Sequence, residues 1–100
     1  MLQDFFLGFI KIHILYHAAK EPVYGAEMLE ELGRHGYSLS PGTLYPTLHR
    51  LEREGYLRME RRTVGGRVRK YYSATELGLS VLSEAKEKIA ELTEEVLFDR

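Results

Sequence analysis

Three observations predict a mostly α (α+β) fold for this chain. Four segments show the apolar spacing of helices, two segments of strand character flank the glycine pair Gly65-Gly66, and proline or glycine separates most of them. The predicted order is three helices, a β-hairpin and one long helix. One hundred residues make a single domain with a small core. Packing against a second copy would add to the stability of so small a core.

The first helix, predicted over residues 4–20, has two apolar faces separated by two polar stripes. One face carries Phe5, Phe9, Ile12, Tyr16 and Ala19. The other carries Leu7, Ile10, Ile14 and Ala18. A surface helix needs only one apolar face to pack on its own core. The second face therefore predicts a contact with another surface, most simply that of a twin subunit, and for this role we select Leu7, Ile10 and Ile14.

Proline and glycine mark the ends of the next two helices. The second helix is predicted over residues 24–34. The third, over residues 41–54, begins with Ser40 as a good N-cap and Pro41 at the first helical position, where the missing N–H costs nothing. Gly55 is its stop signal. Its leucines face inward, at positions Leu44, Leu48 and Leu51. The opposite side is predicted to carry Thr43, Thr47, Arg50 and Glu54.

The last two elements are a hairpin and a long helix. Strands are predicted over residues 57–63 and 67–73, around the two-residue turn. Either Ser73 or Thr75 caps the last helix. Its apolar residues follow a 3-4-3-4 spacing, which is an a/d seam of about two heptads: Leu82, Ala85, Ile89, Leu92 and Val96.

Together these elements predict a winged helix-turn-helix with a β-hairpin wing and a long C-terminal dimerisation helix. Residues 1–74 would form the winged domain, including the N-terminal helix, and residues 75–100 the dimerisation helix. This arrangement is typical of small domains that place a helix in a DNA groove and hold the flanking phosphates.

The net charge of −1 hides a basic centre. Residues 34–70 carry nine basic and three acidic side chains, a net charge of +6, whereas residues 1–33 carry −3 and residues 71–100 carry −4. A basic centre between acidic flanks is typical of a local polyanion-binding face. On charge alone, an ordinary solvated surface explains the pattern equally well.

The hairpin concentrates the basic charge. With a two-residue loop, Arg62 lies opposite Arg69 and Arg61 lies opposite Lys70. Like charges directly across a strand pair destabilise it, so the ribbon is predicted to meet a counter-charge, of which phosphate is the obvious one. Arg67, near the tip, is suited to a minor groove. A solvated hairpin with splayed side chains is the alternative.

The tip of the third helix is lined by small or hydroxylic residues, which are Ser40, Pro41, Gly42 and Thr43. Small residues let a helix N-terminus approach a duplex, and its free N–H groups and dipole favour phosphate. Side chains along the helix can bond base edges or backbone, namely Thr43, Thr47, His49 and Arg50. The alternative is that the tip is only a cap and a turn.

A run of matching residues resembles the PadR family of transcriptional regulators. The matches begin with Tyr24-Gly25 and continue with Ser40-x-Gly42-Thr43-Leu44-Tyr45-Pro46-x-Leu48-x-Arg50-Leu51-Glu52-x-x-Gly55-x-Leu57. They end with Gly66-Arg67-x-Arg69-Lys70-Tyr71-Tyr72-x-x-Thr75-x-x-Gly78. The resemblance spans residues 10–82, and the single C-terminal helix resembles the compact subfamily.

This resemblance implies a homodimeric repressor that binds an inverted-repeat operator in double-stranded DNA. The implied contacts of the third helix are Ser40, Thr43, Tyr45, Thr47 and Arg50, to which we add Pro41, Gly42 and His49. Those of the wing are Arg67, Arg69 and Lys70, to which we add Arg61, Arg62, Gly65 and Gly66, with Tyr24 at the start of the second helix. Two positions depart from the family pattern. Ala26 stands where many members have an aromatic residue, and Val68 where many have a proline.

Other functions are less well supported. The chain has no cysteine, which excludes disulfides and thiolate metal sites and suits a reducing cytoplasm. No catalytic motif or phosphate-binding loop is present, so no enzyme and no cofactor are predicted. The apolar N-terminus lacks the basic residues of a signal peptide and is too short to span a membrane. A small aromatic effector between subunits stays open, although simple dimer packing is preferred. A winged helix that binds protein instead of DNA is the main alternative.

The histidines predict no metal site. His13 and His17 have the i, i+4 spacing that can bind zinc, but no third ligand is evident in the sequence. A polar stripe on an interface helix is the preferred interpretation. His35 is expected at the surface and His49 on the DNA side.

Overall fold

The computed structural model describes all 100 residues, Met1–Arg100, and confirms the predicted α+β winged-helix fold. It contains four helices and a three-stranded antiparallel sheet. In chain order the elements are α1 (Leu2–Lys20), β1 (Val23–Tyr24), α2 (Gly25–Arg34), α3 (Pro41–Arg53), β2 (Leu57–Val64), β3 (Arg67–Ala74) and α4 (Glu76–Val96). No helix is long and apolar enough to cross a bilayer.

The hairpin has the predicted register. Gly65 and Gly66 both adopt positive φ angles, 59° and 78°, which a two-residue turn between right-twisted strands requires. Arg62 therefore pairs with Arg69 across the ladder, and Arg61 pairs with Lys70. Two like-charged pairs thus lie next to each other in the outer half of the wing.

Strand β1, which joins the two predicted strands of the hairpin, was not predicted. Val23 pairs with Tyr72 and Tyr24 pairs with Tyr71, so that the strand order is β1-β3-β2. The expectation that α2 begins at Tyr24 was therefore wrong by one residue, because Tyr24 is extended and serves as the N-cap. Two residues are too few to show the alternation of a strand, and only the pairing with β3 identifies them as one.

A core of 13 side chains joins all four helices to the sheet. Ile14, Leu44 and Leu48 are fully buried within it, and so are the neighbouring Met28 and Leu32. One stripe of α3 packs inward, because its buried residues recur at helical spacing: Leu44, Thr47, Leu48 and Leu51.

The face of α1 that packs on this core is the face selected above for the dimer. Ile10 and Ile14 are buried within the chain, and so is Leu82 of α4. Their assignment to an interface was wrong, because neighbouring elements of the same chain already cover them. Leu7 is half-buried. The opposite face of α1 leaves its large side chains exposed, at Phe5, Phe9 and Tyr16.

Helix α4 is anchored to the domain by its first two turns and lies beside α1 further along. Of the two proposed caps, Thr75 is the one used: its hydroxyl accepts from the Gly78 N–H at 3.1 Å and donates to the Gly55 carbonyl at 2.6 Å. Gly78 lies so close to the Tyr56 carbonyl that a Cβ would collide with it. Beyond Leu82 no residue of α4 is buried, and the molecule is 54 Å long. The last four turns therefore extend away from the core.

Candidate nucleic-acid interface

The first turn of α3 is open to solvent. Ser40 is the N-cap with an extended backbone, and its carbonyl accepts from the N–H groups of Thr43 and Leu44, each at 3.0 Å. Its side chain does not cap the backbone; instead its hydroxyl lies 3.3 Å from that of Thr43. A Cβ added to Gly42 would meet only the Ser40 hydroxyl oxygen, at 3.7 Å. Nothing within the chain therefore requires a glycine at position 42.

Thr47 does not belong to this open side, and its prediction as a contact residue was wrong. Its side chain is buried, and its hydroxyl donates to the Thr43 carbonyl at 2.8 Å. Position 47 completes the i, i+3, i+4, i+7 stripe of α3. The spacing of the three leucines does not by itself show that the threonine between them is buried. The other predicted residues of α3 are exposed: Pro41, Gly42, Thr43, Tyr45, His49 and Arg50.

Tyr45 connects the outer side of α3 to the start of α2. Its ring lies against Gly25, where an added Cβ would be 2.7 Å from the tyrosine hydroxyl oxygen and closer still to the ring carbon Cε1. The pair Tyr24-Gly25 thus has a physical basis: the glycine makes room for the tyrosine, and Tyr45 itself remains 40% exposed. The start of α2 and the outer side of α3 consequently form one surface.

We expect Gly25→Ala to displace Tyr45 and to lower the free energy of unfolding by about 1–3 kcal/mol, the usual cost of overpacking. Urea denaturation measures the change. Gly33→Ala is the matched control, because it lies in the same helix with nothing within 4 Å of its added Cβ. That control should stabilise the protein by about 0.5–1 kcal/mol. Equal stability of the two variants would contradict the contact.

The outer face of the sheet carries alternating cations and tyrosine rings. The Arg69 guanidinium lies 4.5 Å from the centroid of the Tyr24 ring, which meets Tyr71 edge-on at 5.4 Å. The Arg62 guanidinium lies 4.6 Å from the Tyr71 centroid and 3.2 Å from a Glu60 carboxylate oxygen. Each arginine of the like-charged pair therefore has an aromatic partner of its own, which offsets part of the repulsion that the sequence indicated.

The remaining cations of the wing have no carboxylate partner. Arg61, Arg67 and Lys70 are exposed, and neither they nor Arg69 form an ion pair. Gly65 and Gly66 form the exposed tip between them. The wing thus presents several cations that the protein itself does not neutralise.

A cleft of about 560 Å³ brings the three predicted regions together. Its walls are the start of α2, the outer side of α3 and strand β3, contributed by Tyr24, Gly25, Ala26, Tyr45, His49, Arg67, Val68, Arg69, Lys70 and Tyr72. Ala26 and Val68, the two departures from the family pattern, both line it. The tip of α3, with Arg50, Arg61 and Arg62, lies outside the cleft.

Comparisons with known proteins agree with this architecture. Residues 14–84 match the model of the transcriptional regulator PadR-like family. The transcriptional regulator Rv3488 of Mycobacterium tuberculosis is 50% identical over 96 residues, which is 96% of this chain and 90% of that protein.

Solved structures extend the similarity to three dimensions. A PadR-like transcription factor from Bacteroides fragilis is 31% identical with a TM-score of 0.83, and the alignment covers 98% of this chain and 96% of that one. A PadR-like transcriptional regulator from Bacillus cereus is 33% identical with a TM-score of 0.84, covering 93% and 92%. On these grounds, the chain belongs to the PadR-like family of transcriptional regulators.

Proposed function

We propose that this regulator is a homodimeric repressor that binds an inverted-repeat operator through α3 and the wing. The observation that carries the proposal is the convergence, around one cleft, of Tyr45 and His49 of α3, the start of α2 and wing cations that no carboxylate neutralises. A polyanion with grooves is the ligand whose charge and shape suit such a surface.

Within this proposal, α3 is the recognition helix and enters the major groove. Gly42 and the hydroxyls of Ser40 and Thr43 let its N-terminus approach the duplex, which is consistent with the empty space around the Gly42 Cα. His49 and Arg50, exposed further along the helix, contact base edges or phosphates. Buried Thr47 has only a structural role.

The wing would hold the flanking phosphates. Arg67 is next to the turn and free of any ion pair, so it reaches furthest along the duplex. Arg69 and Arg62 are held over tyrosine rings, which orders their side chains before binding and lowers the entropy lost on contact. Arg61 and Lys70 extend from the other face of the ribbon.

The proposed dimer uses the exposed face of α1 together with the seam of α4. An apolar groove runs between the two helices, lined by Phe5, Gly8, Phe9, Ile12, Ala85, Lys88, Ile89 and Leu92. Val96 at the end of α4 and Phe98 just beyond it are also exposed. A second copy is the occupant that fits best, because the heptad seam continues along α4 beyond the domain that could cover it. The second copy would itself fill the groove, so the proposal needs no small aromatic effector there.

Selection of bound duplexes from a random pool tests the proposal. We expect enrichment of two inverted half-sites whose centres lie about one helical turn, roughly 10 bp, apart. Such a sequence would report DNA binding, base readout and two-fold symmetry together. A pool that shows no enriched sequence after repeated rounds would refute the sequence-specific part of the proposal, and enrichment of a single half-site would refute the dimer.

A further inference from the structure

Three of the four histidines form a cluster outside the cleft. His13 and His17 are one turn apart on α1, and His35 is the C-cap residue of α2. Their nearest ring nitrogens all lie within 4.8 Å of one another. No third ligand for His13 and His17 was evident in the sequence, whereas in the structure His35 lies within reach of both. The packing of α2 on α1 supplies the third residue.

The hydrogen bonds of the protein do not satisfy this cluster. His17 Nε2 is buried and has no hydrogen-bond partner. A Glu31 carboxylate oxygen, Oε1, lies 3.5 Å from His17 Nε2 and 3.5 Å from His35 Nε2, without the geometry of a hydrogen bond to either. A buried polar atom without a partner is unfavourable and needs an explanation, such as an ion that the site is built to bind.

One oxygen of the Glu31 carboxylate is available to the cluster. A hydrogen bond from Arg34 lowers the pKa of Glu31, so its carboxylate stays ionised. That bond uses Oε2 and leaves Oε1 directed toward the histidines.

We propose that His13, His17 and His35 bind a divalent cation of the zinc class, with Glu31 Oε1 as the fourth ligand. Three imidazoles and one carboxylate are a donor set that zinc accepts in tetrahedral geometry. Zinc–nitrogen bonds of about 2.0–2.1 Å place ligand nitrogens about 3.3 Å apart, so side-chain rotations must close the cluster by about 1–1.5 Å. His35 is the exposed member of the cluster, so solvent and not the core surrounds its outer side.

A bound ion would join α1 to the end of α2. The three histidines line a second pocket, which shares Phe9, Ile12 and Ile89 with the groove proposed for the second subunit. The ion would therefore fix α1 beside the dimer surface. The metal site itself depends on neither DNA binding nor dimerisation, because every ligand comes from one chain.

Zinc titration of the chelator-treated full-length chain tests the proposal. Competition with a coloured chelator should give one Zn²⁺ per chain, and Co²⁺ in its place should show the intense visible absorption of tetrahedral coordination. His17→Gln and His35→Gln should each weaken binding by more than about 100-fold, because loss of even an outer-shell partner costs about 10–100-fold. His49→Gln, which alters the one histidine outside the cluster, should bind zinc with the same affinity as the wild type.

Equal zinc affinity of His17→Gln, His35→Gln and His49→Gln would overturn the proposal, and so would an octahedral Co²⁺ spectrum. Circular dichroism of the metal-free variants shows whether they fold. If they do not, the wild-type chain decides: zinc must raise its melting temperature and must shift the imidazole NMR signals of three histidines but not that of His49. Absence of either change would contradict the site.

Discussion

Ile89→Glu is expected to convert the proposed dimer into a monomer and to raise the dimer dissociation constant by at least about 100-fold, which is about 2.7 kcal/mol. Ile89 lies in the middle of the α4 seam and lines the groove beside Phe9 and Ile12 of α1. In the proposed two-fold dimer the substitution would bury two carboxylates in an apolar contact, without partners. Sedimentation equilibrium measures the change.

The single chain should tolerate this substitution, because Ile89 is 39% exposed and lies outside the core. Circular dichroism should therefore report a folded monomer. Ala90→Glu is the matched control: it adds the same charge one residue further along, at an exposed position outside the a/d seam, and should remain dimeric. A dimer that survives Ile89→Glu would show that the interface lies elsewhere. Loss of the dimer should also lower the affinity for the operator, because one protein molecule would no longer bind both half-sites together.

Arg67→Ala is expected to weaken binding to every duplex, whatever its sequence. Arg67 is exposed, has no carboxylate partner and lines the cleft next to the turn. Loss of one phosphate contact per subunit should reduce the slope of log K against log salt by about two for the dimer. Fluorescence anisotropy with operator and unrelated duplexes, over a range of salt concentrations, measures both the affinity and the slope.

Arg50→Ala serves as the contrasting variant, since Arg50 is also exposed but lies on α3. It should reduce discrimination at one base position of each half-site by about 1–3 kcal/mol and affect unrelated duplexes less. Thr43→Ala should act in the same direction. If Arg67→Ala, Arg50→Ala and Thr43→Ala all affect operator and unrelated DNA alike, base readout does not take place on α3.

Local signals made the wing and α3 predictable. The turn at Gly65-Gly66 determines which residues of β2 and β3 face each other, so the like-charged pairs followed from the sequence alone. Ser40 and Pro41 determine where α3 begins, and Gly55, with a φ of 88°, determines where it ends. Each of these features depends on residues adjacent in the chain.

The errors concern features that only tertiary packing determines. Helix α1 has two apolar faces of similar quality, and its periodicity cannot show which one the chain itself covers. The same holds for Thr47, whose small polar side chain gives no signal of burial. Tyr24 and Tyr71 become partners of Arg69 and Arg62 only when β1 joins the sheet. His35 reaches His13 and His17 only through the packing of α2 on α1.

The salt dependence of DNA affinity, measured with the wild-type chain and its selected duplex, tests the central claim most directly. If the cleft and wing bind the phosphate backbone, log K should fall linearly with log salt, and affinity should drop by about 10³-fold or more between about 50 and 200 mM salt. Failure to bind any duplex at the lowest salt concentration would contradict the claim. Affinity that stays constant over this range would also contradict it and would favour a winged helix that binds protein.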